Sequence, residues 1–431
     1  MRKKRISLLL CAALLAALLS GCHEQPQPAV PALSPVPTAE TAPEQGALPP
    51  AEMLAVVTTP DPARREEASD AALSFAAELL RRTEGPNRLL SPASVLCALG
   101  MVLEGAEGET RSQMEAALGI SCEALEAFLG PWLSALNGEE EGALHAADGI
   151  WIKEDENLRI SEDFLQRNWA YYGAAVEQCP FDAAALDRIN GFVERNTHGM
   201  IEKLLDALPR DAVMVLVNAL AFEADWETPY REDQVRPGVF HSENGGEQEA
   251  TFLSSHERVY LKDEDTAGFL KYYEGGRYAF AALLPAEGMA LEDYIASLSG
   301  EKLRGLLEGA QWTGVETVTP KFETAYSVQL ADALAALGMA DAFDPDLADL
   351  SALGTCENGD NLYIGQVIHK TFLKLDEKGT RAGAATAVTI YAASALREPP
   401  PQVVLDRPFV YLLLDTETNI PLFIGVVSDV G

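Results

Sequence analysis

The chain contains serine, histidine and asparagine or aspartate side chains of the kinds that nucleophilic catalysis uses, so a hydrolytic site is the first chemistry to test. The local contexts that expose such a nucleophile are absent: there is no GxSxG elbow, no HExxH, no phosphate-cradling GxxxxGK(S/T) and no GxGxxG. Ser91 precedes Pro92 and an apolar run from Val95 to Leu103, a spacing that commits its hydroxyl to capping a helix. His369 lies in a strand-like Ile-His-Lys-Thr-Phe run, which argues against a catalytic base. His145, His198, His241 and His256 are scattered and read as surface residues. Cys97, Cys122, Cys179 and Cys356 form no CxxC and no zinc pattern. Cys97 reads as a small core residue, and one disulfide among the others is left open. No cofactor and no metal is called for.

A different chemistry, that of a peptide to be cut, is carried by the stretch from Asp376 to Ser394, which is too apolar for an ordinary surface loop. At a period of two from Thr380, one set of side chains is Thr380, Ala382, Ala384, Thr386, Val388, Ile390 and Ala392, while Arg381, the only charge, falls in the other set. One face is therefore free to be buried. Its first half is small and its second half β-branched, which suits a strand sliding between two existing strands. The rival is an Ala-rich helix, which Thr380, Gly383, Thr386, Val388, Thr389 and Ile390 all weaken.

The same stretch, after its Glu-x-Gly-Thr start at Glu377, resembles the reactive loop of the serpins. Four other blocks extend the resemblance in the family's order: Asn87 to Gly119, Val217 to Tyr230, Pro320 to Leu353 and Asp406 to Val427. The resemblance implies a single α+β domain from 64 to 431, with a large central sheet, further sheets, eight to nine helices and an exposed loop over about 377–402. It implies a single-use inhibitor and not an enzyme. A target serine protease cuts the loop and is held as a covalent acyl complex while the freed segment inserts into the sheet. The hinge would be Glu377, Gly379, Thr380, Ala382 and Ala384, with Thr380 the first inward residue to go in. Fourteen residues from Thr380 to Ala393 make a strand of about 46 Å, long enough to cross such a domain.

By the same resemblance, Ser91, Ser94, Asn218 and His369 match a buried polar cluster beneath the point where the sheet opens. Trp226 matches a tryptophan at the top of that sheet, and Lys321 with Glu377 an ion pair where the loop first goes in. Counting from Gly379 places the cut between Ala393 and Ser394, which favours elastase-like or subtilisin-like proteases. Counting back from Pro399 gives Arg397 and trypsin-like ones. The chain departs from the family's usual pattern at Arg381 and at Glu223-Ala224, and neither change sets a proline or a bulky charge on the inward face.

The positioning elements are legible in outline. Helices are expected over Ala68 to Arg82, from Pro92 to Leu103, over Glu109 to Leu118, Ser161 to Tyr172 and Asp187 to Thr197. Strands are expected at Gly149 to Lys153, Ala212 to Phe222, Tyr278 to Leu284, Val403 to Val404, Phe409 to Asp415 and Leu422 to Val427. Strands and helices are interspersed without regular βαβ alternation, which indicates α+β.

Of 431 residues, acidic ones outnumber basic ones 66 to 32, a net charge of −34 that excludes nucleic acid as a partner. The first 22 residues read as an export signal, with Arg2, Lys3, Lys4 and Arg5 ahead of an apolar stretch from Ile6 to Leu19. Leu19-Ser20-Gly21-Cys22 resembles the bacterial lipobox, making Cys22 the lipid-bearing first residue of the mature chain. Loss of the four basic residues would take the net charge to about −38. Residues 23–63 are a linker, with ten prolines between His23 and Pro62, able to reach about 120 Å in extended form. The expected protein is a monomer, tethered by lipid to the outer face of a bacterial membrane.

Overall fold

A computed structural model describes residues 62–137, 143–208, 212–380 and 399–430. The signal segment with Cys22, nearly all of the linker, and the loop residues Arg381 to Glu398, which include Ala382, Ala384, Ala393, Ser394 and Arg397, lie outside the described residues.

In chain order the fold begins with helices α1 (Pro62–Arg81), α2 (Pro92–Leu103), α3 (Gly108–Leu118) and α4 (Cys122–Asn137), with a short strand β1 (Leu89–Leu90) between the first two. There follow β2 (Leu144–Lys153), β3 (Leu158–Ile160), α5 (Glu162–Tyr172), β4 (Ala175–Cys179), α6 (Ala183–Asn196), β5 (Met214–Phe222) and β6 (Ala224–Asp225). Next come β7 (Val235–His241), β8 (Glu247–Glu257), β9 (Val259–Lys262), β10 (Thr266–Tyr272), β11 (Tyr278–Pro285), α7 (Leu291–Ser297) and α8 (Gly300–Glu308). The last part holds β12 (Val315–Pro320), β13 (Phe322–Gln329), α9 (Ala331–Leu334), β14 (Gly354–Cys356), β15 (Ile368–Leu375), β16 (Gly379–Thr380), β17 (Gln402–Val404), β18 (Phe409–Asp415) and β19 (Ile420–Val427). The expected α+β class is what forms.

Most of the sequence-derived elements appear with shifted ends. The first helix starts at Pro62 instead of Ala68, because the polar Arg64–Glu67 turn carries no apolar period and is tied instead by a 3.1 Å ion pair. The fifth expected helix starts at Ala183, where the Asp182 carboxylate accepts from the Ala185 N–H at 2.9 Å. The second keeps its expected cap: the Ser91 hydroxyl oxygen accepts from the Ser94 N–H at 3.2 Å. The third ends, as expected, at Gly119, whose φ of 71° favours glycine.

The core is built on a six-stranded sheet in the order β1-β19-β18-β11-β10-β9. Every residue of β11, β18 and β19 is buried, so these strands read as near-continuous apolar runs. Helices α1 and α2 pack on β19, and α2 also touches β5. A second sheet runs β17-β12-β8-β7, with β17 parallel to β12 and the other pairs antiparallel.

The remaining large sheet is split. One part runs β4-β2-β5 and the other β13-β15-β16-β6. The chain passes from β5 to β6 through the single residue Glu223, so β6 prolongs the line of β5. At the β6 level the two-residue strand β16 bridges across to β15, with Thr380 opposite both Ala224 and Leu375. Below that level β5 and β15 touch but show no ladder pairing between them among the described residues. The line between β5 and β15, close together but without a ladder, is the open place of this sheet.

Candidate functional site

The site is the top of this open place, and the turn from Asp376 to Gly379 builds it. After β15 ends at Leu375, the Asp376 carboxylate accepts from the Lys378 N–H at 2.9 Å, and the Asp376 N–H donates to the Gly379 carbonyl at 3.1 Å. The chain reverses and Gly379 comes against β6. A side chain there would collide with the Ala224 carbonyl oxygen and the Asp225 backbone, so the close approach needs glycine.

Three aromatic residues hold the turn. The Trp226 N–H donates to the Lys378 carbonyl at 2.8 Å, and its indole Nε1 donates to the Asp376 carbonyl at 3.0 Å. The Tyr230 N–H donates to the Glu377 carbonyl at 2.8 Å. Tyr273 stacks on Trp226 with ring centroids 4.3 Å apart and shares a 2.8 Å hydrogen bond with the Thr380 hydroxyl. Thr380 is buried. It is already seated between β6 and β15 in the uncut chain, where the turn and the Tyr273 hydroxyl satisfy it.

Lys321 follows β12 and pairs with Glu377 at 2.6 Å. The Lys321 ammonium bonded to Glu377 is the first cause that holds that carboxyl below its usual range. Both side chains are about a third exposed, at 34% and 39%, so the pair contributes less than about 1 kcal/mol.

Some distance down the open place lies a second group of the expected residues. Ser94 on α2 donates its hydroxyl to the Asn218 carboxamide oxygen on β5, and the Asn218 amide donates to Asp148 on β2 at 2.5 Å. From the same helix end, the Ser91 N–H donates to His369 Nε2 on β15 at 2.9 Å. One helix terminus thus grips both strands that flank the open place. Because His369 Nε2 accepts from this backbone N–H, it is not free to take a proton from the Ser91 hydroxyl, which itself donates to the Leu422 carbonyl at 2.7 Å. No serine–histidine relay exists here. Burial pushes the His369 pKa down to about 4, and burial pushes that of Asp148 up to about 7, the Asn218 bond acting the other way.

Sequence reading missed three features. His145 and His198 are not scattered: their rings meet at 4.0 Å, and burial with the nearby His198 lowers the His145 pKa. Arg167 on α5 binds Glu104 at 2.6 Å and also Glu126, two buried carboxylates at the C-terminal cap of α2 and on α4. Glu104, Cys122 and Glu126 bring their ligating atoms within 4.8 Å of one another, but Arg167 already meets their charge. Burial first, and Glu104 second, raise the Glu126 pKa to about 8. The third is Lys271, buried beneath Trp226. The disulfide left open does not form: Cys97, Cys122, Cys179 and Cys356 are all free.

The site thus joins an α+β fold to a split sheet whose two parts meet at β5 and β15 without a ladder among the described residues. The serpin family profile, described as serine protease inhibitor, matches residues 66–430. An uncharacterised serpin-like protein of Thermococcus kodakarensis is 31% identical over 363 residues, covering 82% of this chain and 83% of its own. The native state of a thermophilic serpin, tengpin, superposes with a TM-score of 0.80 at 39% identity, over 88% of this chain and 97% of that one. Thyroxine-binding globulin in complex with thyroxine is similar at a TM-score of 0.71 and 26% identity, over 84% of this chain and 98% of its own. The chain belongs to the serpin family. Serpins are inhibitors and not catalysts, typically of proteases, though the globulin shows the fold also serves small-molecule binding.

Proposed function

We propose that the protein is an inhibitory serpin that traps a serine protease by inserting its cleaved loop between β5 and β15. The observation that carries this reading is Thr380 seated between β6 and β15, directly above the unpaired stretch. The inserting strand has its first rung laid, and the residues that follow from Ala382 to Ala385 are all small in the sequence, as entry between two strands requires. The scissile bond is Ala393–Ser394, a small residue that suits the shallow pockets of elastase-like or subtilisin-like enzymes.

The protein is further proposed to stand on the outer face of a bacterial membrane, held by lipid on Cys22 and lifted by the proline-rich segment. No helix among the described residues is long and apolar enough to cross a membrane. Replacing Cys22→Ser should move the protein out of the membrane fraction and leave inhibition intact.

The deciding experiment is incubation with an elastase-like, a subtilisin-like and a trypsin-like protease, followed by a denaturing gel and mass spectrometry of the released C-terminal peptide. A gel-stable complex and a peptide beginning at Ser394 are expected. A peptide beginning at Glu398 moves the bond to Arg397 and the target to trypsin-like enzymes. Cleavage without any complex with all three would make the protein a binding module of the same fold.

A further inference from the structure

Lys271 lies on β10 with its side chain only 4% exposed, an unusual place for an ammonium group. Its Nζ is 2.8 Å from the Glu257 carboxylate, 3.2 Å from the Thr228 carbonyl, 4.3 Å from the centre of the Tyr230 ring and 5.2 Å from that of Trp226. It is thus caged by the two residues whose backbone N–H groups hold Lys378 and Glu377. On the far side of the cage, Glu257 accepts from the Ser255 hydroxyl at 2.5 Å, and Ser255 meets the Thr317 hydroxyl at 2.8 Å. Thr317 lies on β12 opposite Val403 of β17, the strand that receives the chain when the loop returns. Burial disfavours the charge on Lys271, but Tyr230 and Glu257 outweigh it and raise its pKa.

We propose that Lys271 is a positioning residue for loop insertion: its ammonium, clamped between the Trp226 and Tyr230 rings and Glu257, ties the root where the loop leaves the sheet to the root where it returns. This rests on the inhibitory reading above for its consequence, though not for its geometry. A buried ammonium stacked on two rings fixes their orientation more tightly than an apolar side chain would, because the cation must keep every one of its partners. With the rings fixed, Trp226 and Tyr230 present their N–H groups to the turn and Tyr273 keeps Thr380 seated. Without the cation the turn frays, and insertion has to begin again from an unseated hinge while the acyl-enzyme is being hydrolysed.

The test uses the full chain with Lys271→Met paired with Glu257→Gln, so that no carboxylate is left buried alone, beside Lys271→Arg, which keeps a cation on the rings. Hydrogen exchange of the Trp226 and Tyr230 amides should speed at least tenfold in the double variant and stay near the parent rate with arginine. The number of inhibitor molecules consumed per protease trapped should rise severalfold in the double variant and return toward the parent value with arginine. Unchanged exchange overturns the proposal, and so does faster exchange with an unchanged ratio, since the cage would then be structural only. If the parent itself traps no protease, the inhibitory reading fails while the exchange arm still decides whether Lys271 holds the hinge.

Discussion

The hydroxyls of Tyr273 and Thr380 meet at 2.8 Å in a buried site beneath Trp226. The hydrogen bond joins the six-stranded sheet's β10–β11 turn to the two-residue strand β16 that bridges the split sheet. In the proposed mechanism, the uncut molecule would thereby have satisfied the part of insertion that costs most to nucleate, namely fixing the reversal of the chain.

Replacing Thr380→Arg should therefore disturb the uncut protein as well as the cut one. A buried, unpaired guanidinium costs several kcal/mol, and each 1.4 kcal/mol on a barrier is a factor of about ten in rate. The variant is expected to be cut at the same bond and to release active protease, a change from inhibitor to substrate. Arg381→Glu, in the outward-facing set, should stay close to the parent. The ratio of complex to cleaved inhibitor on a denaturing gel checks both, and a Thr380→Arg protein that traps as well as the parent contradicts the seat described here.

The polar cluster beneath the sheet gives opposite pH dependences on its two sides. The His369 pKa is lowered from 6.5 to about 4, so its contribution to stability is fully present above pH 6.5 and lost as pH falls through 4. That contribution is about 3 kcal/mol. The Asp148 pKa is raised from 3.8 to about 7, so its contribution is fully present below pH 3.8 and lost as pH rises through 7. Thermal midpoints measured from pH 4 to 8 should show a flatter acid limb in His369→Gln and a flatter limb toward pH 7 in Asp148→Asn. An acid limb in His369→Gln as steep as the parent's would mean that other groups set it.

Arg167 offers a test of the helical layer apart from the loop. Arg167→Met leaves Glu104 and Glu126 buried without their cation, a loss of about 3–5 kcal/mol. With the Glu126 pKa already near 8, the penalty should be smaller at pH 5, where that carboxyl takes up a proton, than at pH 9. Urea midpoints at the two pH values measure the difference, and equal losses would show that charge is not what Arg167 supplies.

The two ends of legibility in the sequence are well represented by β19 and Lys271. The strand announces itself because Ile420 to Val427 is apolar at every position and needs no partner to be recognised. The family blocks likewise locate Ser91, Ser94, Asn218, His369, Trp226, Lys321 and Glu377, and the structure brings them together in two groups along one open place. Lys271 was invisible because a lone lysine near the end of a strand reads as solvated, and only the meeting of β8, β10 and the Trp226–Tyr230 turn encloses it. Arg167, Glu104 and Glu126 were missed for the same reason: each is an ordinary charge on or at the end of its own helix, and their burial is a property of three helices at once. The paired rings of His145 and His198 join β2 to the turn that follows α6 and leave no trace in local sequence.

The pairing of Thr380 with Leu375 on one side and Ala224 on the other also sets a count for the whole inserting strand. If the cleaved loop inserts as proposed, each step forward along it would be one step back along β15 and along β6 into β5. Carried six steps without slippage, that count sets Thr386 opposite His369 and opposite Asn218 at once. A hydroxyl would then arrive, like a bolt, between the imidazole and the carboxamide that the end of α2 holds apart in the uncut chain. Thr386→Val removes that hydroxyl while keeping the shape, so it should leave the uncut protein unchanged and lower the stability of the cleaved, inserted form by about 1 kcal/mol. Equal stability of the two cleaved proteins would mean that the strand slips on its way in.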